Sequence, residues 1–268
     1  MEKVLTVVVP AYNAESYLEN CLDSLCLPEL LDFLEVIVVD DGSADRTGEM
    51  ADQYQERFPD TVRVVHKENG GHGSGINCGI KAACGRYFKV VDADDWVEAD
   101  GFRNLMAFLA EASSDMVVSG FVWALDDGSG NERQFRRKAE IREPFSGVVY
   151  GKVYDFDQVA DQIYIKMHGL TIRTGLLQEQ GIHVDENCFY VDTEYILYPV
   201  PFVKTISFIQ DFVYQYRIGR PGQSVDLNRM KRLQNDYDRV LAALFRFYRS
   251  YAETPGSSVK KRTYIARI

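Results

Sequence analysis

The acidic run Asp92-Ala93-Asp94-Asp95 could bind a divalent cation. It follows the apolar stretch from Tyr87 to Val91, which reads as a buried strand. A hard cation such as Mg²⁺ prefers oxygen ligands, usually one or two carboxylates together with phosphate oxygens of a ligand. An Asp-x-Asp pattern at the end of a strand supplies such ligands and leaves coordination positions open for a diphosphate. The alternative is a solvated acidic turn that caps the helix after it.

A second acidic cluster, Asp40-Asp41-Gly42-Ser43, follows the apolar stretch from Leu34 to Val39. A carboxylate at a strand end can accept a hydrogen bond from a nucleobase or a ribose. The same residues are typical of a turn in which Ser43 or Asp45 caps the next helix. Both interpretations stay open, because one acid can cap the helix while its neighbour binds a ligand.

The glycine-rich run from Asn69 to Gly75 does not match a dinucleotide fingerprint. Ile76 stands where the last glycine of that fingerprint would be, and the run follows the third predicted strand instead of the first. Backbone N–H groups near the start of the next helix could still approach a phosphate. The alternative is a flexible loop before a helix, and His72 is expected to be a polar loop residue and not a base.

Asp192 and Glu194 form the last acidic motif. Residues two positions apart do not share one face of a helix, so we expect only one of these carboxylates to point into a cleft. A carboxylate there could take the proton from an attacking hydroxyl as a general base. The alternative is that Asp192 only caps the start of a helix.

These motifs need a scaffold that brings them together, and the hydrophobic pattern predicts one. Apolar runs of strand length alternate with helical patterns over the first 120 residues, which predicts a mostly parallel α/β sheet with helices on both faces. Ligands bind such sheets beyond the carboxyl ends of the strands. Pro10–Asn13, Asp40–Ser43 and Asp92–Asp95 each end a predicted strand, so we expect them along one rim.

The later part of the chain is less regular. A turn is expected at Asp126–Gly130, followed by helices at Thr174–Gln180 and Asp192–Tyr198. Two strands are expected at Thr205–Ile209 and Phe212–Arg217, and Pro221-Gly222 breaks the chain. A long amphipathic helix is predicted from Asn228 to Tyr251, and the end is basic.

Composition narrows the classes of function. With 268 residues, 46% hydrophobic and 26% charged, the chain is an ordinary globular protein, and a formal net charge of −10 argues against a nucleic-acid partner. The five cysteines contain no Cys-x-x-Cys pair, which favours free thiols in a reducing cytoplasm. The chain has no apolar run as long as a membrane span.

Together the motifs resemble the family 2 glycosyltransferases, which have the GT-A fold. Their order and separations fit this family as well. The stretches that carry the resemblance are Thr6–Asn13, Val38–Thr47, Asn69–Gly73 and Val90–Trp96, with a looser match at Tyr190–Asp192 and Tyr214–Arg217.

The resemblance implies roles for individual residues. Asp192 would be the catalytic base for direct displacement at the anomeric carbon, with inversion. Asp92 and Asp94 would hold Mg²⁺ or Mn²⁺. The remaining implied nucleotide contacts are Pro10, Tyr12, Asn13, Asp40, Asp41, Asn69, Gly70, Asn77 and Ala93, and further candidate contacts to donor or acceptor are His72, Asp95, Trp96, Glu194, Tyr216 and Arg217.

Two positions depart from the family pattern. Ile76 precedes Asn77 where the family often has an arginine, so a diphosphate contact would have to come from elsewhere. Val191 precedes Asp192 where the family often has a glutamate. The aspartate itself is present, which favours it over Glu194 as the base.

The expected architecture is a GT-A domain over residues 1–220 and a C-terminal helical extension over residues 221–268. Within the domain, residues 1–112 would bind the nucleotide sugar and residues 113–220 the acceptor. The expected donor is a UDP-sugar, and the acceptor a saccharide or glycolipid of a surface polysaccharide or glycolipid pathway.

The expected location is the cytoplasm, with the inner face of the membrane as a candidate contact for basic and aromatic residues near the C-terminus. These residues are Arg246, Tyr248, Arg249, Lys260, Lys261 and Arg262. Two other functions stay open at this point: a nucleotide-sugar-binding module without turnover, and a metal-dependent nucleotidyltransferase. A nucleotidyltransferase would usually carry a glycine-rich basic loop after its first strand, where this chain has Ala11–Glu15.

Overall fold

The computed structural model describes residues 2–125, 136–139, 145, 147–219 and 232–268. Helices and strands alternate in its first half, as the apolar pattern predicts. The strands are β1 (Leu5–Ala11), β2 (Leu34–Asp40), β3 (Val62–His66), β4 (Tyr87–Val90), β5 (Trp96–Val97), β6 (Met116–Leu125), β7 (Arg136–Ala139), β8 (Val153–Asp155), β9 (Leu170–Arg173) and β10 (Thr205–Ile218). The helices are α1 (Leu18–Leu25), α2 (Thr47–Arg57), α3 (His72–Ala82), α4 (Ala99–Glu111), α5 (Phe156–Val159), α6 (Thr174–Glu179), α7 (Asp192–Leu197), α8 (Gln234–Glu253) and α9 (Val259–Arg267).

The strands form one sheet in the order β3-β2-β1-β4-β9-β6-β10-β5, with β7 on β6 and β8 on β10. Strands β3, β2, β1 and β4 are parallel, and β6 is parallel to β10. Strand β9 is antiparallel to both β4 and β6 and joins the two halves. The predicted α/β class with a Rossmann-like parallel half is confirmed, and antiparallel pairs are added in the second half.

Helices cover both faces of the sheet, which explains why β1 is apolar at nearly every position. Successive side chains of a strand point to opposite faces. Val8 therefore packs in the cluster that contains residues of α3, α6 and α7, whereas Val7 and Val9 pack with α1, α2 and α4. All three valines are fully buried. Their burial fixes the register of the strand that carries Pro10 and Tyr12.

The sequence pattern after the glycine-rich run predicts a helix at Ile76–Ala83, but helix α3 begins four residues earlier. It starts at His72, so two glycines of the glycine-rich run lie inside the helix. Glycine lowers helix propensity, but tertiary packing overrides it here. A Cβ on Gly73 would lie 2.0 Å from the carbonyl oxygen of Asp185, and one on Gly75 would lie 2.8 Å from Cβ of Pro10. Small residues are required because the helix packs directly against backbone.

The two strands predicted at Thr205–Ile209 and Phe212–Arg217 form a single strand, β10, of 14 residues. Its register against β6 shifts between Phe208 and Phe212, and this irregularity accounts for the break in the apolar pattern. The predicted turn at Asp126–Gly130 and the break at Pro221-Gly222 lie outside the described residues, as does the start of the long predicted helix.

The C-terminal helices α8 and α9 pack on the sheet. Val240 of α8 and Tyr264 and Ile265 of α9 are buried in the same hydrophobic cluster as residues of β4 and β6. The division of the chain at residue 220 stays a prediction. No helix in the described ranges has both the length and the apolar character needed to cross a membrane.

Lys89 of β4 is fully buried and has no carboxylate within ion-pairing distance among the described residues. Its Nζ donates hydrogen bonds to the carbonyl oxygens of His168 (2.6 Å) and Leu170 (3.3 Å). Burial lowers the pKa of Lys89 from an ordinary value of 10.5 to about 7. The amine thus connects β4 to the segment before β9 and is only weakly basic.

This lowered pKa predicts how stability changes with pH. Between pH 7 and 10 the unfolded chain keeps the Lys89 proton and the folded chain has lost it, so stability rises with pH. Relative to Lys89→Met, the native protein should therefore gain about 1 kcal/mol of unfolding free energy per pH unit. Urea unfolding at pH 7, 8 and 9 measures this, with the exposed Lys81→Met as control. Parallel curves for native protein and Lys89→Met would contradict the prediction.

Candidate functional site

The predicted rim is present at the carboxyl ends of β2, β1 and β4, which are adjacent and parallel. The backbone N–H of Asp41 donates to the carbonyl oxygen of Ala11 (2.9 Å), which carries the β1–β2 pairing to the end of both strands. The acidic run after β4 continues the same edge. The structure thus places the ends of three strands side by side, and we refer to the space beyond them as the cleft.

At one corner of the rim, Asn13 joins the turns after β1 and β2. Its backbone N–H donates to Oγ of Ser43 (3.0 Å), and its Oδ1 accepts from the backbone N–H of Ala44 (2.8 Å). Pro10 is buried beneath this corner, whereas the ring of Tyr12 is 55% exposed. Tyr12 therefore offers a free aromatic face beside the Asp40 turn.

Asp41 is the centre of a hydrogen-bond network within the protein. Its carboxylate accepts from the backbone N–H groups of Gly70 (3.0 Å) and Gly71 (2.7 Å), from Oγ of Ser74 (3.0 Å) and from Nζ of Lys67 (2.7 Å). Asn69 donates to its carbonyl oxygen. The two glycine N–H groups expected near a phosphate are thus held by this carboxylate, which is nearly inaccessible.

The loop after β4 is braced by the last residues of β10. The hydroxyl of Tyr214 donates to Oδ2 of Asp95 (2.5 Å) and accepts from the backbone N–H of Asp92 (3.1 Å). The backbone N–H of Arg217 donates to Oδ1 of Asp95 (2.7 Å), and its Nε donates to the carbonyl oxygen of Asp94 (2.9 Å). The guanidinium of Arg217 also lies 4.8 Å from the ring centre of Trp96. Asp95 is therefore buried and holds the loop to β10 through these hydrogen bonds, whereas Asp92 and Asp94 are half-buried.

His168 is a residue of this cleft that the sequence did not indicate. Its ring packs 4.3 Å from that of Tyr216 and 5.0 Å from that of Phe121, measured between ring centres. One ligand atom each of Asp92, Asp95 and His168 lie within 4.8 Å of one another. Burial lowers the pKa of His168 to about 4, so the ring is neutral. Its buried Nδ1 lacks a hydrogen-bond partner within the described structure.

This donor set fits a divalent cation. Carboxylate oxygens suit Mg²⁺ and Mn²⁺, and a neutral imidazole with an unused nitrogen adds a ligand that manganese accepts more readily than magnesium. Burial, and then the charges of Asp94 and Asp92, raise the pKa of Asp95 well above its usual range. A cation would offset this accumulated negative charge. The sequence predicts Asp92 and Asp94 as metal ligands, whereas the group of possible ligands in the structure is Asp92, Asp95 and His168. Asp92 belongs to both sets.

His72 provides a positive group within the acidic cleft. Its Nε2 lies 2.8 Å from Oδ1 of Asp92. Crowding by protein atoms alone would lower its pKa, but the charge and hydrogen bond of Asp92, with weaker effects of Asp192 and Asp94, raise it to about 9. His72 is thus the first residue of α3 and a charged neighbour of three carboxylates, which differs from the expected polar loop residue.

Asp192 and Glu194 have different environments, as their spacing predicts. Glu194 is fully buried and accepts from the backbone N–H of Asp185 (2.7 Å) and from the hydroxyl of Tyr198 (3.0 Å). Asp192 is exposed to solvent although protein groups crowd around it. This crowding, and then Asp92, raise the pKa of Asp192, and His72 partly opposes the effect. Of the two acids, only Asp192 is placed to meet a ligand in the cleft.

Asn77 faces away from the strand ends. Its Nδ2 donates to the carbonyl oxygen of Val184 (2.9 Å) and to Oε1 of Glu186 (3.0 Å), and its Oδ1 accepts from the backbone N–H of Val184 (3.0 Å). The side-chain amide therefore ties α3 to the segment before α7. Ala93 is buried between the two half-buried aspartates. The nucleotide contact implied for Asn77 stays a prediction.

Comparison with known proteins identifies a family for this arrangement. The protein-family model described as "Glycosyl transferase family 2" matches residues 6–170, which is more than half of the chain. A relative from Bacillus subtilis (strain 168), named "Uncharacterized glycosyltransferase EpsJ", is 42% identical over 121 residues. Those residues are 45% of this chain and 35% of EpsJ.

Two solved structures share the fold. S. aureus TarS 1-349 in complex with UDP-GlcNAc matches with a TM-score of 0.63 at 24% identity, over 82% of this chain and 59% of that chain. Mannosyltransferase PcManGT from Pyrobaculum calidifontis, in complex with GDP-Man and Mn²⁺, matches with a TM-score of 0.65 at 17% identity, over 99% of this chain and 69% of that chain. This chain thus spans about a third of EpsJ and about three fifths of the TarS chain.

The network around Asp41 predicts a large stability effect. Asp41→Asn removes a charge that Lys67 and two backbone N–H groups contact, and we expect a loss of about 2–4 kcal/mol of unfolding free energy. Urea unfolding followed by circular dichroism measures it. The matched control is Asp60→Asn, since Asp60 is exposed and makes no side-chain contact in the structure described. Equal stability of the two variants would show that the network contributes little.

Proposed function

This chain belongs to glycosyl transferase family 2, and on that premise we propose that it transfers a sugar from a nucleotide-diphosphate donor to a hydroxyl acceptor with inversion at the anomeric carbon. One observation carries the proposal. Asp92, His72 and Asp192 interact in one cleft at the carboxyl ends of the parallel strands. They come from the loop after β4, the start of α3 and the start of α7. Such convergence is expected of a site and not of three separate helix caps.

The proposed donor is a UDP-sugar. The cleft offers an exposed aromatic ring in Tyr12 and the carboxylate of Asp40, which suit stacking with a nucleobase and hydrogen bonding to it. The TarS structure in complex with UDP-GlcNAc shares this fold and supports the choice. A uridine nucleotide is therefore the first candidate, and the identity of the sugar is open to the same binding experiments.

The proposed cofactor is Mn²⁺ or Mg²⁺, held by Asp92 with Asp94, with His168 or with both. When bound, such a cation offsets the charge of the diphosphate leaving group. The residues of this chain do the rest of the positioning. Tyr214 and Arg217 hold the loop, and Asp95, braced by both of them, fixes its geometry.

Asp192 is the proposed general base. Its exposed carboxylate would accept the proton of the acceptor hydroxyl while the hydroxyl oxygen attacks the anomeric carbon and the bond from that carbon to the diphosphate oxygen breaks. A raised pKa suits this role, because a carboxylate with a higher proton affinity is a stronger base. The positive charge of His72 opposes the rise in the pKa of Asp192 and so favours its ionised form. Glu194 is already used by Asp185 and Tyr198 and is a structural residue.

The proposed acceptor is a saccharide or glycolipid hydroxyl, at the cytoplasmic side of a membrane. Of the basic residues near the C-terminus, Lys260 pairs with Asp161, and Lys261 and Arg262 donate to carbonyl oxygens of the protein. Arg246 and Arg249 are exposed on α8, as is Phe245 at 60%. These three residues support a peripheral membrane contact. All five cysteines are free thiols, in keeping with a reducing compartment.

The base assignment predicts a separation of binding from chemistry. Asp192→Asn should lower the transfer rate by about 10²-fold or more, because the amide cannot accept the proton. The affinity for UDP should stay within about threefold, since Asp192 faces the acceptor side of the proposed reaction. Rates come from a radiolabelled-donor assay and affinities from isothermal titration. Thr193→Val, one residue along the same helix, is the matched control and should transfer normally. Loss of UDP binding together with transfer would undo this role.

The cation site predicts which side chains hold Mn²⁺. Asp92→Asn should weaken Mn²⁺ binding in the presence of UDP most, by about tenfold or more, because Asp92 belongs to both ligand sets. Asp94→Ala and His168→Phe should each weaken it if that residue is a ligand, and electron paramagnetic resonance titration of Mn²⁺ distinguishes them. Asp100→Asn, an exposed acid at the start of α4, is the control. Unchanged Mn²⁺ affinity in all three variants would exclude the site.

A further inference from the structure

Asp40 is held by a chain of polar groups that the proposed reaction does not use. Its Oδ1 accepts from the backbone N–H of Ser43 (3.0 Å), and its Oδ2 lies 2.9 Å from Nδ1 of His66. Nε2 of the same imidazole lies 3.1 Å from Oδ1 of Asp52. Three elements contribute: Asp40 ends β2, His66 ends β3, and Asp52 lies on α2.

The hydrogen bonds define the state of the imidazole. A neutral imidazole has one N–H donor and one acceptor nitrogen, whereas a carboxylate only accepts. His66 has a carboxylate at each nitrogen, so both contacts are hydrogen bonds only when both nitrogens carry protons. The hydrogen bonds that His66 donates to Asp40 and Asp52 accordingly raise its pKa. The two contacts therefore favour an imidazolium between two carboxylates.

Packing prevents Asp40 from turning away. Gly48, in the first turn of α2, lies directly over the pair. A Cβ at this position would stand 2.8 Å from Oδ2 of Asp40 and 3.3 Å from Cε1 of His66. Only about 10% of the Asp40 side chain is exposed, against 50% of His66. Asp40 thus has one orientation and a small accessible edge, beside the corner that carries Tyr12.

We infer that His66 and Asp52 hold Asp40 as a fixed, acceptor-only group that selects a nucleobase presenting a ring N–H flanked by carbonyl groups or a carbonyl and an amine. This inference rests on the proposed function, because it takes a nucleotide as the ligand. Uracil N3–H and guanine N1–H are donors of this kind. Cytosine N3 and adenine N1 are hydrogen-bond acceptors, so they cannot form a hydrogen bond with the carboxylate, which also only accepts. His66 is a positioning residue in this scheme, since it acts through Asp40.

The expected selectivity follows from an unsatisfied polar contact. Two acceptors that face each other in a nearly closed site weaken binding by about ten- to hundredfold. If His66 is removed, Oδ2 of Asp40 loses its hydrogen bond and gains space to rotate, and the carboxylate is protonated more readily without the neighbouring imidazole. The preference for N–H donors should then fall, and the common ribose and diphosphate contacts should stay.

The test is a titration calorimetry panel of UDP, GDP, CDP and ADP, each with Mn²⁺, against the native protein and four variants. We expect the native protein to bind UDP or GDP at least about tenfold more tightly than CDP and ADP. His66→Leu should reduce that ratio to less than about threefold, and His66→Gln, which keeps one donor for Asp40, should restore part of it. Asp52→Asn should have a smaller effect in the same direction.

Arg103→Leu is the matched control, because Arg103 also bridges two carboxylates, Glu29 and Asp100, on the surface. It should leave all four affinities unchanged. A purely structural role of His66 would lower all four affinities equally, together with the thermal midpoint, and would overturn the inference. An unchanged UDP-to-CDP ratio in His66→Leu would overturn it as well. Equal binding of all four nucleotides by the native protein would contradict this inference but not the proposed function. If no nucleotide binds, the proposed function is contradicted as well.

Discussion

Mutual repulsion among carboxylates is the constraint around which this cleft is built. Asp92, Asp94 and Asp95 lie together, and Asp192 joins them from the other half of the chain. Burial, and then the charges of Asp94 and Asp92, raise the pKa of Asp95, and Asp92 also contributes to the raised pKa of Asp192. Such a cluster is costly in a protein of net charge −10 unless protons, cationic side chains or a bound ion offset it. The structure provides His72 from α3 and Arg217 from β10, and the contacts of Arg217 with Asp94 and Asp95 connect the two halves of the sheet.

Adjacent acids in one motif have separate tasks. Asp41 and Asp40 are neighbours at the end of β2, and because successive side chains of a strand point to opposite faces, they meet different helices. Asp41 meets the start of α3 and holds its glycine N–H groups. Asp40 meets α2 and His66. The two aspartates at this strand end thus have different environments: Asp41 is a structural anchor, and Asp40 is the proposed ligand contact.

Much of the parallel half could be predicted from the sequence, because fully buried strands such as β1 and β2 are short apolar runs that end at turn residues. The rim of polar clusters followed from the same pattern, since parallel strands end on the same edge. The start of α3 could not be predicted, because the need for glycine at position 73 comes from a carbonyl oxygen more than a hundred residues away. His168 was missed for a similar reason: a single histidine carries no periodic signal, and only the fold brings it beside Asp92. The burial of Lys89 followed from the strand predicted at Tyr87–Val91, but its hydrogen bonds could not be predicted, since their carbonyl partners lie 79 and 81 residues further along the chain.

The contact between Gly73 and Asp185 has a consequence for how such chains can diversify. The carbonyl oxygen of Asp185 occupies the space where any larger residue would place its first side-chain atom, and Asn187 donates to the carbonyl oxygen of Gly70. The stretch leading to Asp192 therefore packs directly against the glycine-rich run from Asn69 to Gly75. Recombination that exchanged one of these stretches without the other would create a steric collision at this seam. The two stretches would therefore have to be exchanged together, even though about 110 residues separate them along the chain.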